Sequence, residues 1–285
     1  MICIYHGIDL DGWCSAAIVK NKYPDCKMVP YDYGQPVPEL EEGEDLILVD
    51  VSFSMDTFRK FLAEGRTITW LDHHISAIRE FDKELRYEVQ GNKKFLFSLD
   101  PKKAACEITW EFINPDLDIP RGVHLLGRYD CFGHKGTSEE FAVLVFQYAA
   151  RARWNGWKET SEVLRLTRED LVQMHNAGLY IYQSLCTEAK QSYAKGFVIE
   201  FDGYRFLAVN KERFNPINFE INYHKDGYDG FASFYFADGH WKFSLYNDNG
   251  KVDCSEICKR RGGGGHAGAA GFVTKNINDY VQTGV

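Results

Sequence analysis

The chain has 285 residues, 45% hydrophobic and 26% charged, with a formal net charge of −8. That balance describes an ordinary globular protein with room for two domains, and it excludes one that grips long duplex nucleic acid by bulk positive charge. The charge is uneven: residues 190–285 carry 12 Lys/Arg against 11 Asp/Glu, and the residues before them 21 against 30.

In chain order, ICIYH (2–6) predicts a strand and SAAIVKNKY (15–23) a helix behind it. KMVPYDY (27–33), DLILVD (45–50) and TITWLD (67–72) read as further strands. Between the last two, SMDTFRKFLAEG reads as a helix with Ser54 as its N-cap and Gly65 as its stop. Strands and helices in alternation predict a parallel sheet covered on both faces, which binds ligands at the carboxyl ends of its strands. A long helix is expected over about 168–195, with Thr167 and Asp170 as a capping box and Gly196 as its end. Beyond it the pattern changes. FVIEF-DG-YRFLAV and FASFYFA-DG-HWKFSLY are two hairpins with Asp-Gly turns, so an antiparallel-rich domain begins near residue 196. The expected division is 1–167 for the first domain, 168–195 for a connecting helix and 196–285 for the second.

The polar residues gather where the strands end. HGIDLDG places His6, Asp9 and Asp11 after the first strand; Asp50 closes DLILVD; Asp72, His73 and His74 close TITWL; and Asp130 lies in the apolar segment LLGRYDCFGH. Carboxylates this close repel one another unless a cation holds them. Carboxylate oxygen mixed with imidazole nitrogen suits Mn²⁺, Mg²⁺ or Fe²⁺, and two such ions sharing a carboxylate activate water for in-line attack on phosphorus. Taken singly these residues have plainer readings: Asp11-Gly12 as a turn, His73-His74 as a partnered or exposed pair, Asp130 as a helix-end carboxylate. Their conjunction at strand ends favours the metal reading.

In order, HGIDLDG, VDVSF, LDHH and RYD resemble the four-motif signature of the DHH phosphoesterase superfamily, and RGGGGHAGAAGF resembles the glycine-rich signature of its associated C-terminal domain. The five segments span nearly the whole chain. The resemblance implies an α/β fold: a parallel-sheet, Rossmann-like DHH domain followed by a smaller α/β domain with antiparallel hairpins. It implies that His6 and Asp9 hold one metal ion, that Asp11, His73 and Asp130 hold another, and that Asp50 bridges the two. Asp72 would orient its neighbours, and His74 would face the substrate phosphate. From the second domain Gly263, Gly264, Gly265 and His266 would form a backbone-amide loop around phosphate, helped by a basic residue of Lys259, Arg260 and Arg261, with the two arginines as candidates.

Other readings of the same letters fail. A dinucleotide fingerprint at Gly263–Gly268 lacks room for the rest of its βαβ unit, and GHKGTS (133–138) has P-loop letters in the wrong order. Cys254 and Cys258 lack two further suitably spaced zinc ligands. The eight scattered cysteines read as reduced thiols, no secretory leader precedes the first strand, and FAVLVF is too short to span a bilayer, so a cytoplasmic protein is expected.

The expected activity is that of a Mn²⁺-dependent phosphodiesterase acting on short RNA or DNA oligonucleotides or small nucleotide phosphodiesters. Its partners would be these substrates, with no membrane and no long duplex, and homodimerisation stays open. Asp130-Cys131-Phe132 stands where nanoribonucleases have Asp-Thr-Gly, and VDVSF and RYDCF look closer to exopolyphosphatase-like members. Phosphoanhydride hydrolysis is therefore the alternative, with a nucleotide-binding sensor as a third class.

Overall fold

The computed structural model describes residues 1–41, 43–212, 214–219 and 221–280; residues 281–285 of the expected second domain lie outside the described residues. Five strands open the chain: β1 (Ile2–His6), β2 (Lys27–Tyr31), β3 (Leu46–Val49), β4 (Ile68–Asp72) and β5 (Phe95–Leu99). They pair in the order β2-β1-β3-β4-β5, all parallel. Around them lie α1 (Leu10–Lys22), α2 (Met55–Ala63), α3 (Ile75–Glu84), α4 (Arg86–Val89), α5 (Ala105–Ile113), α6 (Arg121–Asp130), α7 (Glu140–Arg153) and α8 (Trp157–Thr160).

Alternation along each strand builds two cores. Ile2, Ile4, Leu46, Leu48 and Trp70 pack with Phe58, Phe61 and Phe81 from α2 and α3. Cys3, Tyr5, Ile47, Val49 and Leu71 face the other way, onto Ile18, Cys106, Leu126 and Phe146 from α1, α5, α6 and α7. Burying such side chains stabilises the fold by roughly 1.5–3 kcal/mol each. With α1 on one face and α2 on the other, the winding changes side between β1 and β3. That switch leaves a crevice at the carboxyl ends of these two strands.

Helix α1 begins earlier than the expected residue 15. Asp9 caps it, accepting from the Gly12 N–H at 2.9 Å, so Asp11 and Gly12 lie in its first turn rather than in a loop. A Cβ at position 12 would stand 2.0 Å from the His6 carbonyl oxygen, so only glycine lets α1 start this close to β1. Ser54 caps α2 through Thr57 N at 3.2 Å, as expected.

Helix α9 (Arg168–Ala194) has the expected box: Thr167 N donates to Asp170 Oδ2 at 2.9 Å and Asp170 N to Thr167 Oγ1 at 3.2 Å. The chain divides inside this helix into two compact units, Met1–Ile181 and Tyr182–Val285. Among the described residues no helix is long and apolar enough to cross a membrane.

The second unit holds a six-stranded sheet of β6 (Phe197–Phe201), β7 (Tyr204–Asn210), β8 (Gly230–Ala237), β9 (His240–Tyr246), β10 (Gly264–His266) and β11 (Ala269–Thr274), in the order β10-β11-β9-β8-β7-β6. Both Asp-Gly hairpins form, with Asp202 and Asp238 at φ +53° and +52°; β7 and β8 between them pair in parallel. Helix α10 (Cys254–Lys259) adds Cys254, Ile257 and Cys258 to a core of Phe201, Phe206, Phe243 and Phe272.

The glycine run is not the loop that the sequence suggested. Gly262, at φ +77°, ends α10 in a left-handed turn, and Gly263 N donates back to Cys258 O at 2.9 Å. Gly264 to His266 then form strand β10 at the edge of the sheet, paired with Ala269 to Gly271. A Cβ on Gly263 would sit 2.1 Å from the Gly271 carbonyl oxygen, so close strand pairing already demands a glycine there.

Candidate metal centre

His6 ends β1, Asp50 follows β3, and His73 and His74 follow β4, so the parallel sheet delivers these side chains to one edge. Asp9 and Asp11 enter on the first residues around α1, and Asp130 is the last residue of α6. Their ligand atoms fall into three groups, each within 4.8 Å: His6, Asp9 and Asp50; Asp11, His73 and Asp130; Asp50, His73 and His74. The structure thus gathers every candidate ligand read from the sequence, with Asp50 and His73 each common to two groups.

Asp9 Oδ1 caps α1, while its Oδ2 lies 2.8 Å from His6 Nδ1. Asp11 is buried and accepts from the first amides of α5, Ala105 N at 2.9 Å and Cys106 N at 2.8 Å, where the helix dipole favours negative charge. His73 Nε2 lies 3.3 Å from both Asp50 Oδ1 and Asp130 Oδ2 and 3.6 Å from Asp11 Oδ2.

Asp50 is 2% exposed and has a left-handed backbone, φ +59°. Its Oδ1 is buried and accepts no hydrogen bond of good geometry, although His73 Nε2 is near. A buried carboxylate oxygen in that condition is costly, and a divalent cation would satisfy it. The donor set, carboxylate oxygen plus imidazole nitrogen, fits a hard or borderline dication.

The ionisation of the cluster has the same cause. Burial alone would lower His6, but its bonds to Asp50 and Asp9 outweigh this and lift it to about 11. His73 rises to about 10: burial opposes the shift, while Asp50, Asp11 and Asp130 drive it. Burial and repulsion from Asp50 push Asp11 up to about 7; burial and repulsion from Asp11 do the same for Asp130. Burial also raises Asp50. The group as a whole holds extra positive charge in the form of protons, which is the demand that a dication meets.

Asp72 does something else. Fully buried, it accepts through Oδ1 from His73 N at 2.7 Å and His74 N at 3.2 Å, and it lies 2.7 Å from His74 Nδ1. Trp70 Nε1 steadies its other oxygen at 3.3 Å. It therefore fixes the ring of His74 with Nδ1 inward. His74 is lowered by burial but raised overall by the Asp72 carboxylate.

Two residues here were not picked out from the sequence. Asp32 follows β2 and its Oδ1 lies 3.6 Å from His6 Nε2. Tyr33 packs its ring 5.9 Å from that of His6 and 5.7 Å from that of His74, and its hydroxyl accepts from Ser52 N at 3.1 Å. The signal was present: both close the predicted strand KMVPYDY, as Asp50 closes DLILVD.

In the second unit, Arg260 and Arg261 both bind Asp202, which holds that carboxyl at about 2. Arg261 also donates to Ile257 O and lies over Phe201, Phe272 and Tyr280, mostly covered. Arg260 and His266 are exposed. The choice between the two arginines, open in the sequence, has a structural argument: both hold the hairpin turn to α10, but Arg261 is mostly covered and Arg260 is exposed.

No family model matches the sequence. An uncharacterised protein of Acanthamoeba polyphaga mimivirus is 23% identical over 310 residues, covering 97% of this chain and 68% of that protein. Among solved structures, a pGpG-specific phosphodiesterase from Vibrio cholerae superposes with a TM-score of 0.57 at 12% identity, covering 98% of this chain and 94% of the other. The DHH domain of a member of the s1p family of ribosomal proteins gives 0.53 at 15% identity over 98% and 83%. An exopolyphosphatase-related protein from Bacteroides fragilis gives 0.52 at 12% over 96% and 86%. The fold, a parallel α/β sheet followed by a second mixed sheet, is shared with these solved structures, one of them a DHH domain.

Proposed function

We propose that the chain is a phosphodiesterase of the DHH type, dependent on two divalent ions and acting on short oligonucleotides or small nucleotide phosphodiesters. One observation carries this reading: buried Asp50, whose Oδ1 accepts no hydrogen bond of good geometry, belongs to two of three adjoining carboxylate–imidazole groups at the strand ends. Mn²⁺, with Mg²⁺ or Fe²⁺ as substitutes, would supply Lewis acidity and an activated water there. His6, Asp9 and Asp50 would hold one ion; Asp11, His73 and Asp130, again with Asp50, the other. His74, fixed by Asp72 and biased toward its protonated form, presents Nε2–H to a non-bridging phosphate oxygen and offsets charge building on phosphorus. In the second unit the exposed Arg260 and His266 are the groups we assign to phosphate binding. The Vibrio cholerae structure, described as a pGpG-specific phosphodiesterase, supports a small nucleotide substrate. The exopolyphosphatase-related structure favours phosphoanhydride hydrolysis as the second reading.

The test is a substrate screen. Metal-depleted protein, with and without Mn²⁺, is offered dinucleotides, cyclic dinucleotides, 3′-phosphoadenosine-5′-phosphate and polyphosphate. Turnover of dinucleotides only with Mn²⁺ is expected. Full activity in chelator would overturn the metal reading, and a clear preference for polyphosphate would replace the first reading by the second.

A further inference from the structure

Four described residues other than glycine have left-handed backbone: Asp50, Asp202, Asp238 and Phe132. Aspartate tolerates that region, whereas a bulky aromatic there is a genuine outlier. The position explains the geometry but not the side chain. Helix α6 ends at Asp130, Cys131 N donates back to Gly127 O at 3.1 Å, and Phe132, at φ +55°, takes the place where a helix normally puts glycine. Core packing does not account for the ring either, because the residue is 56% exposed. Lys135 N closes the turn onto Phe132 O at 3.2 Å and brings its Nζ to 4.8 Å from the ring centroid. A strained turn therefore displays a flat apolar ring with an ammonium on one face, two residues beyond Asp130 of the cluster. Backbone strain retained beside a reactive centre points to use of the side chain.

We infer that Phe132 and Lys135 form a nucleotide subsite: a base stacks on the open face of the Phe132 ring, and Lys135 meets the neighbouring phosphate. The inference rests on the phosphodiesterase reading and names a residue that sets its substrate class. Stacking tolerates any base, so the preference gained is for nucleotides over base-free phosphoesters.

The decisive variants are Phe132→Gly and Phe132→Tyr, assayed on diadenylate and on the same dinucleotide made without its bases. Phe132→Gly is expected to raise KM for diadenylate roughly tenfold, leave KM for the base-free analogue unchanged and lose no thermal stability, since glycine relieves the backbone. Phe132→Tyr keeps the ring and should keep the native KM. An unchanged KM for diadenylate in Phe132→Gly, or an equal rise for both substrates, would overturn the subsite. Should the native protein cleave neither substrate, the phosphodiesterase reading falls, and the subsite is then decided by calorimetric binding of adenosine 5′-monophosphate. Weaker binding by Phe132→Gly than by native protein upholds it, and equal affinity overturns it.

Discussion

Asp72 shows how much a residue outside the ligand groups can control. It collects two backbone amides, an indole N–H and the Nδ1 of His74, and it has no role among the grouped ligand atoms. Asp72→Asn should therefore keep bound metal while lowering kcat by about 10–100-fold, the usual loss when a group that orients a site is removed. The pH profile gives a second reading. His74 is raised by the Asp72 carboxylate, so its protonated form persists to higher pH in the native protein than it would without that charge. Losing the charge lowers its pKa, and the alkaline limb of kcat should move to lower pH. Rate profiles of native and variant protein at saturating Mn²⁺ check this; coincident alkaline limbs would remove His74 from the chemistry. Of the carboxylates and imidazoles, all but Asp130, which ends α6, were legible in the sequence as polar residues closing or following predicted strands. The anchor of Asp11 was not, because its partners Ala105 and Cys106 stand 94 and 95 positions away and donate through backbone.

The start of α1 against β1 is the tightest joint between elements near the cluster. Because a Cβ on residue 12 would lie 2.0 Å from His6 O, Gly12→Ala must push the helix off the strand that carries His6. The expected cost is about 1–3 kcal/mol, typical of overpacking, together with weakened Mn²⁺ binding as His6 and Asp9 separate. Urea unfolding and metal titration measure the two effects, and a variant matching the native protein in both would mean that the joint yields freely. Elements with strong periodicity were readable from sequence: four parallel strands, the capped helix α2, the long α9 and both Asp-Gly hairpins. Strand β5 (FLFSL) was not picked out from the sequence, although Asp100 follows it as Asp50 follows β3. The loop geometry expected of the glycine run gave way to a strand for a physical reason. Glycines that suit a phosphate loop also suit a left-handed helix end followed by close strand pairing, and composition does not separate the two.

At the scale of the molecule, the net charge of −8 and the surplus of carboxylates before residue 190 make metal binding a matter of stability as well as chemistry. Any ligand that binds only the folded state stabilises it by mass action, by about 2.7 kcal/mol at a hundred times its Kd. In a chain of this size that raises Tm by several degrees. Asp50 makes the linkage visible. Without a cation it is a buried carboxylate beside Asp9, Asp11 and Asp130, met by His6 and His73, and burial raises its pKa despite them. Asp50→Asn keeps the shape, removes one of the repelling charges and suits the left-handed backbone, which asparagine adopts readily. In chelator the variant should therefore melt at or above the native temperature. With Mn²⁺ present the order should reverse, because the native protein gains the binding energy and the variant has lost a ligand shared by two of the groups. Thermal melts of both proteins, in EDTA and in saturating Mn²⁺, settle the matter alongside elemental analysis of bound metal. Were Asp50→Asn less stable than native in chelator and equally stabilised by Mn²⁺, Asp50 would be a structural carboxylate, and the shared-ligand assignment would have to be abandoned.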